Sequence, residues 1–155
     1  IEAAFGGRKY EIVEVTAREL EEGAQKLTSA KERNVDYVAI GCPHCSLNQL
    51  REIAFLLRDR KVKEGTALWV HTNVAIKHMA AQLGYVRAIE DSGGIVTQDL
   101  CTVLGNPEAL GFRTLATNSP KMAFYAPGSN GMTVWYGSVE RCMDAAVSGV
   151  WEPSS

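Results

Sequence analysis

Short apolar runs alternate with segments of helical period along most of this chain, and that alternation limits its fold more than any other feature. Val35–Ile40, Ala67–Val70, Ile95–Thr97, Arg113–Thr117 and Thr133–Tyr136 read as strands, and Glu11–Val15 reads as one more. Between them lie helix signals. Thr16 and Glu19 form a capping box ahead of Leu20, Ala24 and Leu27, and Ser46 and Gln49 form another ahead of Leu47, Leu50, Ile53, Ala54 and Leu57. Further helices are expected from Asn73 to Leu83, ended by Gly84, over Val86–Asp91, ended by Gly93-Gly94, and from Ser138 onward. Strands that are apolar almost throughout, with helices between them, predict an α/β fold with a mostly parallel sheet covered on both faces. Such sheets bind ligands beyond the carboxyl ends of their strands. Three segments follow predicted strands there: Gly41–Ser46, Asp99–Cys101 and Asn118–Lys121.

The 155 residues read as a single α/β domain, 1–155, long enough to form a core of its own. A net charge of −2 with mixed signs carries no footprint for nucleic acid or anionic membrane. No apolar run approaches the ~20 residues that span a bilayer. The opening Ile1-Glu2-Ala3-Ala4-Phe5 has neither an initiator Met nor a signal-peptide pattern, which suits a fragment of a longer chain or a processed subunit. Four cysteines are present, at 42, 45, 101 and 142. A chain with this much periodic apolar sequence does not need disulfides for a core, so reduced thiols and a cytoplasmic location are expected.

In Gly41-Cys42-Pro43-His44-Cys45-Ser46, a glycine permits a tight turn, Pro43 fixes φ, and Ser46 starts a helix. A cysteine near a helix N-terminus is favoured as the thiolate that bonds metal. Cluster ligation by Cys42 competes with a redox pair of Cys42 and Cys45, a zinc knuckle and a merely buried thiol. The zinc reading lacks a second close Cys or His pair. Cys101 follows Asp99 at another strand end, and in a parallel sheet it would converge with Cys42 on one cofactor. Two cysteines are too few for a cluster, so a further ligand would lie outside the chain. Cys142 shares an apolar helix face with Val139, Met143, Ala146 and Val150 and is expected in the core. Cys45 reads as a spare thiol or a small residue at a helix start.

Asn118-Ser119-Pro120-Lys121 is either a strand-to-loop turn or an anion pocket. Ser119 is a candidate for proton abstraction if cationic neighbours stabilise its anion. Gly128–Gly131 reads as a flexible loop with available backbone N–H groups. His71, at a strand end, and His78, within a helix, read as satisfied or exposed rather than ligating, and Trp69, Trp135 and Trp151 as packing residues.

The Gly41–Ser46 segment, the apolar helix after it, Asp99-Leu100-Cys101, and Thr117–Lys121 leading to Tyr125 resemble, in order and spacing, the aconitase X family. Pro120 departs from the small residues found before that lysine in the family. The resemblance implies an aconitase-like three-layer α/β/α fold and an iron–sulfur cluster acting as a Lewis acid. The reaction implied is elimination of water from a small hydroxy acid such as cis-3-hydroxy-L-proline or 5-phosphomevalonate. Carried over, Cys42 and Cys101 would be cluster ligands, Ser119 and Lys121 would lie at the substrate, and His44 and Asp99 would orient the ligand loops. The third cysteine ligand would belong to a missing N-terminal portion, and a small swivelling domain or subunit would complete the enzyme. The isolated chain is therefore expected to be inactive. A thiol–disulfide module and a non-catalytic interaction domain are the competing readings.

Overall fold

A computed structural model describes residues 2–152 of the chain. A short helix α1 (Glu2–Phe5) and an amphipathic helix α2 (Ala17–Lys26) precede the first strand. The capping box expected at Thr16 and Glu19 is present. The strand expected over Glu11–Val15 is not. Its residues pair with no other strand, and Ile12, Val13 and Val15 are 74%, 75% and 62% exposed. β-Branched residues favour extended backbone, but a strand persists only where a neighbour takes up its N–H and C=O groups and buries one of its faces.

The described residues form a five-stranded, wholly parallel sheet of β1 (Tyr37–Ile40), β2 (Ala67–Thr72), β3 (Ile95–Gln98), β4 (Thr114–Thr117) and β5 (Thr133–Tyr136), in the order β3-β2-β1-β4-β5. Helices α3 (Leu47–Leu56), α4 (Val74–Gln82) and α5 (Tyr85–Asp91), which form crossovers, and α7 (Val139–Ser148), which follows the last strand, cover one face. Helix α6 (Pro120–Asn130) and the 3₁₀ turns Thr102–Leu104 and Pro107–Leu110 are on the other side. The strand periodicity of two sorts the core accordingly. Val38, Ile40, Leu68 and Val70 join Leu50, Ile53 and Met143 on the first face, while Tyr37, Ala39 and Leu115 join Met122 and Ala126 on the second. Each large side chain buried fully in this way contributes roughly 1.5–3 kcal/mol. The three-layer α/β/α arrangement matches the expectation.

Two local readings need correction. Asn118–Lys121 is not a turn into a loop: Ser119 caps α6, with Pro120 as its first residue. Gly128–Gly131 is not a free loop either. It is the last turn of α6 and its left-handed cap, Gly131. Ser, Pro, Asn and Gly signal turns, but burial of Met122, Ala123 and Ala126 against the sheet outweighs those preferences, even with Pro127 inside the helix. Among the described residues no helix is long and apolar enough to cross a membrane.

Candidate functional site

The order β3-β2-β1-β4-β5 reverses direction between β1 and β4, and the carboxyl ends of those two strands border the crevice where doubly wound sheets bind ligands. Beyond β1 the chain turns at Gly41, with φ +109, into the cis Cys42–Pro43 peptide. It then docks on the end of β2. The Cys45 amide donates to the His71 carbonyl at 2.8 Å, and the Thr72 hydroxyl donates to the Cys45 carbonyl at 2.7 Å. Ser46 then opens α3 with the capping box legible in the sequence.

This docking separates the two cysteines of the loop. Cys45 is 1% exposed, and burial pushes its thiol up to about 12, so it remains protonated and poorly suited to metal bonding or to attack on a disulfide. Cys42 is half-buried at a cleft of about 260 Å³, which Cys101, His44, His71, Thr102 and Met122 also line. Cys142 is fully buried in the core, its thiol also pushed upward by burial, as expected for a packing residue.

Cys101 comes from the strand end beyond β3. Asp99 adopts φ +53, a left-handed conformation that Asp tolerates better than most residues, and its amide donates to the Thr72 carbonyl at 2.9 Å. The His44 Nε2 lies 3.2 Å from the Leu100 carbonyl, so that histidine joins the two cysteine loops directly. Asp99 enters the arrangement through its backbone. Cys101 is exposed on the cleft, and all four cysteines are free thiols.

Ser119, 3% exposed, connects the third segment to the first. Its hydroxyl donates to the Cys42 carbonyl at 2.5 Å and accepts from the Met122 amide at 3.1 Å. The loops after β1 and β4 are thereby tied across the reversal point, with the positive end of α6 beside them. Lys121 is exposed in the first turn of that helix. Larger hollows of about 510 and 520 Å³ lie away from the cysteines; at the first of them Arg60 pairs with Asp144 and Lys61 donates to the Asp91 carbonyl.

His71, read from the sequence as a satisfied or exposed histidine, is satisfied at both ring nitrogens, and it also joins these loops, which the sequence did not indicate. His71 is 1% exposed, with Nδ1 2.6 Å from the Thr97 hydroxyl and Nε2 2.5 Å from the Thr102 hydroxyl, which also meets the Tyr37 hydroxyl at 3.1 Å. The only signal was its place at a strand end. Burial first, and the charge of His44 second, bring its pKa from 6.5 down to about 4. The unfolded chain therefore takes up this proton before the folded one does. The resulting stability is present in full above pH 6.5 and is lost as the pH falls toward about 4, a loss of roughly 3 kcal/mol. Urea unfolding across that range is expected to show the decline, and His71→Gln is expected to flatten it.

Two thiols from separate strand ends, free of disulfides and facing one cleft, fit part of the thiolate set that holds an iron–sulfur cluster. Among the described residues no group of three His, Cys, Asp or Glu side chains comes together to hold a metal. The fold and cleft define a doubly wound α/β domain with a candidate site at the carboxyl edge of the sheet. Comparison with known proteins narrows that class: the aconitase X third domain matches residues 35–148, and the chain belongs to the aconitase X family. It is 38% identical over 135 residues to the phosphomevalonate dehydratase large subunit of Methanocaldococcus jannaschii, covering 87% of this chain and 33% of that protein. It is 33% identical over 156 residues to the cis-3-hydroxy-L-proline dehydratase of Hypocrea jecorina, covering 98% of this chain and 26% of that one. The crystal structure of holo-form aconitase X from Thermococcus kodakaraensis superposes with a TM-score of 0.78 at 34% identity, covering 90% of this chain and 35% of that one. The chain thus spans about a third or less of the length of these relatives.

Proposed function

We propose that this chain is the part of an iron–sulfur hydro-lyase that supplies two cluster thiolates, Cys42 and Cys101, with Ser119 and Lys121, at the start of α6 beside the cleft, as the groups that act on the substrate. The remaining ligand and the rest of the site come from other portions of the enzyme: an N-terminal part of the catalytic chain and a small swivelling domain or subunit. The observation that carries this reading is the convergence of Cys42 and Cys101 on one cleft at the carboxyl edge of the sheet. The relatives named for dehydration of phosphomevalonate and of cis-3-hydroxy-L-proline support a small hydroxy acid as substrate. Free thiols suit a cytoplasmic setting.

Elimination breaks a C–H bond and the adjacent C–O bond, forms C=C, and releases water. A bound cluster supplies Lewis acidity that makes the hydroxyl a better leaving group. The chain's own residues address the proton and the charge. Lys121 and the N-terminus of α6 attract the carboxylate or phosphate of the substrate. Ser119 can take the proton from carbon only as its anion, which the same positive charge favours. Its own hydroxyl proton, shared with the Cys42 carbonyl in this structure, would first pass to solvent, and the anion would then accept the substrate proton and return to the neutral hydroxyl. His44 and the backbone of Asp99 hold the cysteine loops to one another and to β2.

Anaerobic iron and sulfide analysis tests the reading, with this chain compared against a longer polypeptide that includes the rest of its catalytic chain. Iron and sulfide are expected only in the longer polypeptide and are expected to be lost on Cys42→Ser or Cys101→Ser. Iron that survives both substitutions would remove the two cysteines from the ligand set. No iron in either polypeptide, with Cys42 and Cys45 readily interconverting between dithiol and disulfide, would favour a redox module.

A further inference from the structure

The two cysteine loops leave the sheet at different strands, β1 and β3, separated by β2. Any group that bonds both thiols needs those loops held at a set separation, and strand ends alone do not provide this. We infer that His71, at the end of β2, is the positioning residue that sets the separation of Cys42 from Cys101. The inference rests on the reading of both thiols as ligands of one group.

Two parts of His71 act on the two loops. Its carbonyl accepts from the Cys45 amide at 2.8 Å and lies where Gly41 packs so closely that a Cβ on Gly41 would come within 2.2 Å of the oxygen. The loop carrying Cys42 is therefore seated on the His71 backbone at both ends. The ring engages the other loop: Nε2 meets the hydroxyl of Thr102, the residue after Cys101. On its far side, Nδ1 meets Thr97, the cross-strand partner of His71 in the β2–β3 ladder. That second contact sets the ring's rotation, because an imidazole held at both nitrogens has no freedom to turn. Trp69 packs edge-on at 6.4 Å between ring centroids, and Tyr37 supports the Thr102 hydroxyl from below. One buried residue thus holds the Cys42 loop through its backbone and the Cys101 loop through its side chain. The two loops also meet directly through the exposed His44, 3.2 Å from the Leu100 carbonyl, and the Asp99 amide ties the start of the Cys101 loop to β2; the His71 ring adds a buried contact on the residue next to Cys101 itself.

The arrangement makes a selective prediction about amide replacements. Glutamine places its terminal amide near the position of Nε2 and keeps the contact with Thr102. Asparagine places its amide near Nδ1 and keeps only the contact with Thr97. Nitroxide labels on Cys42 and Cys101 of this chain, read by dipolar broadening in electron paramagnetic resonance, report the separation of the loops without any metal. Cys45 and Cys142 are buried and remain unlabelled in the folded chain. The original chain and His71→Gln are expected to give one narrow distribution. His71→Asn and the near-isosteric Thr102→Val are expected to give distributions at least about twofold wider, at temperatures where circular dichroism shows the fold intact. Thr102→Val leaves β2 untouched and decides the matter if a His71 variant fails to fold. Equal widths in the original chain, His71→Asn and Thr102→Val would overturn the inference. So would a His71→Gln distribution as wide as that of His71→Asn. These outcomes do not depend on iron, so loss of the cluster reading in the Cys→Ser experiment would leave the measured coupling standing.

Discussion

Replacing Gly41 with alanine is expected to lower the stability of this chain by roughly 3–5 kcal/mol, a large share of the ~5–15 kcal/mol that holds a domain together. Two costs combine. At φ +109 the backbone lies where residues with a Cβ are disfavoured, by at least about 1–2 kcal/mol. The added carbon would also sit 2.2 Å from the His71 carbonyl oxygen and 3.0 Å from its carbon. These are backbone atoms of β2, a strand paired on both sides by β1 and β3, so they have little room to withdraw. The loop must lift instead, which breaks the 2.8 Å bond from the Cys45 amide to that carbonyl and the 2.7 Å bond from Thr72 to the Cys45 carbonyl. Urea denaturation measures the effect. A midpoint shift worth less than about 1 kcal/mol would mean that the loop does not rest on β2 as described. In the complete catalytic chain the same substitution is expected to abolish iron retention, because Cys42 is displaced with the loop.

Ser119→Ala is expected to separate anchoring from catalysis. In this chain it removes the cap of α6 and the 2.5 Å bond to the Cys42 carbonyl, a stability loss of about 1–2 kcal/mol. In the complete enzyme, loss of a base that takes the substrate proton is expected to lower kcat by ~10²–10⁴-fold while KM changes little. Ser119→Thr retains a hydroxyl in the cap and serves as the control for folding. If Ser119→Ala keeps both its iron and kcat within about tenfold of the original, Ser119 is an anchor for the Cys42 loop, and the base must be sought elsewhere.

Much of the fold was legible because strands and helix caps are local features. The five sheet strands follow apolar runs that stand out from their flanks, and the capping boxes at Thr16 and Ser46 depend on residues three apart. The segment Glu11–Val15 was misread because its residues carry strand character while the partner a strand requires is not encoded in the segment itself. Helix α6 was missed for the converse reason: it is built from turn-forming residues, and only the sheet beneath Met122 and Ala126 makes helix the better choice.

The sequence by itself determined the layered α/β class, the strand ends where a site would form, and the cysteine types available to it. Only the tertiary structure decided which of those cysteines face a common cleft. Cys42 and Cys45 stand three residues apart and are equally eligible by composition, yet contact with β2 buries one and leaves the other at the opening. His71 and Thr102 are unremarkable at their places in the chain and become partners because β1 and β3 flank β2. Burial and hydrogen bonding depend on which elements become neighbours, and the order of strands in a sheet follows from packing of the whole chain rather than from any local run of residues.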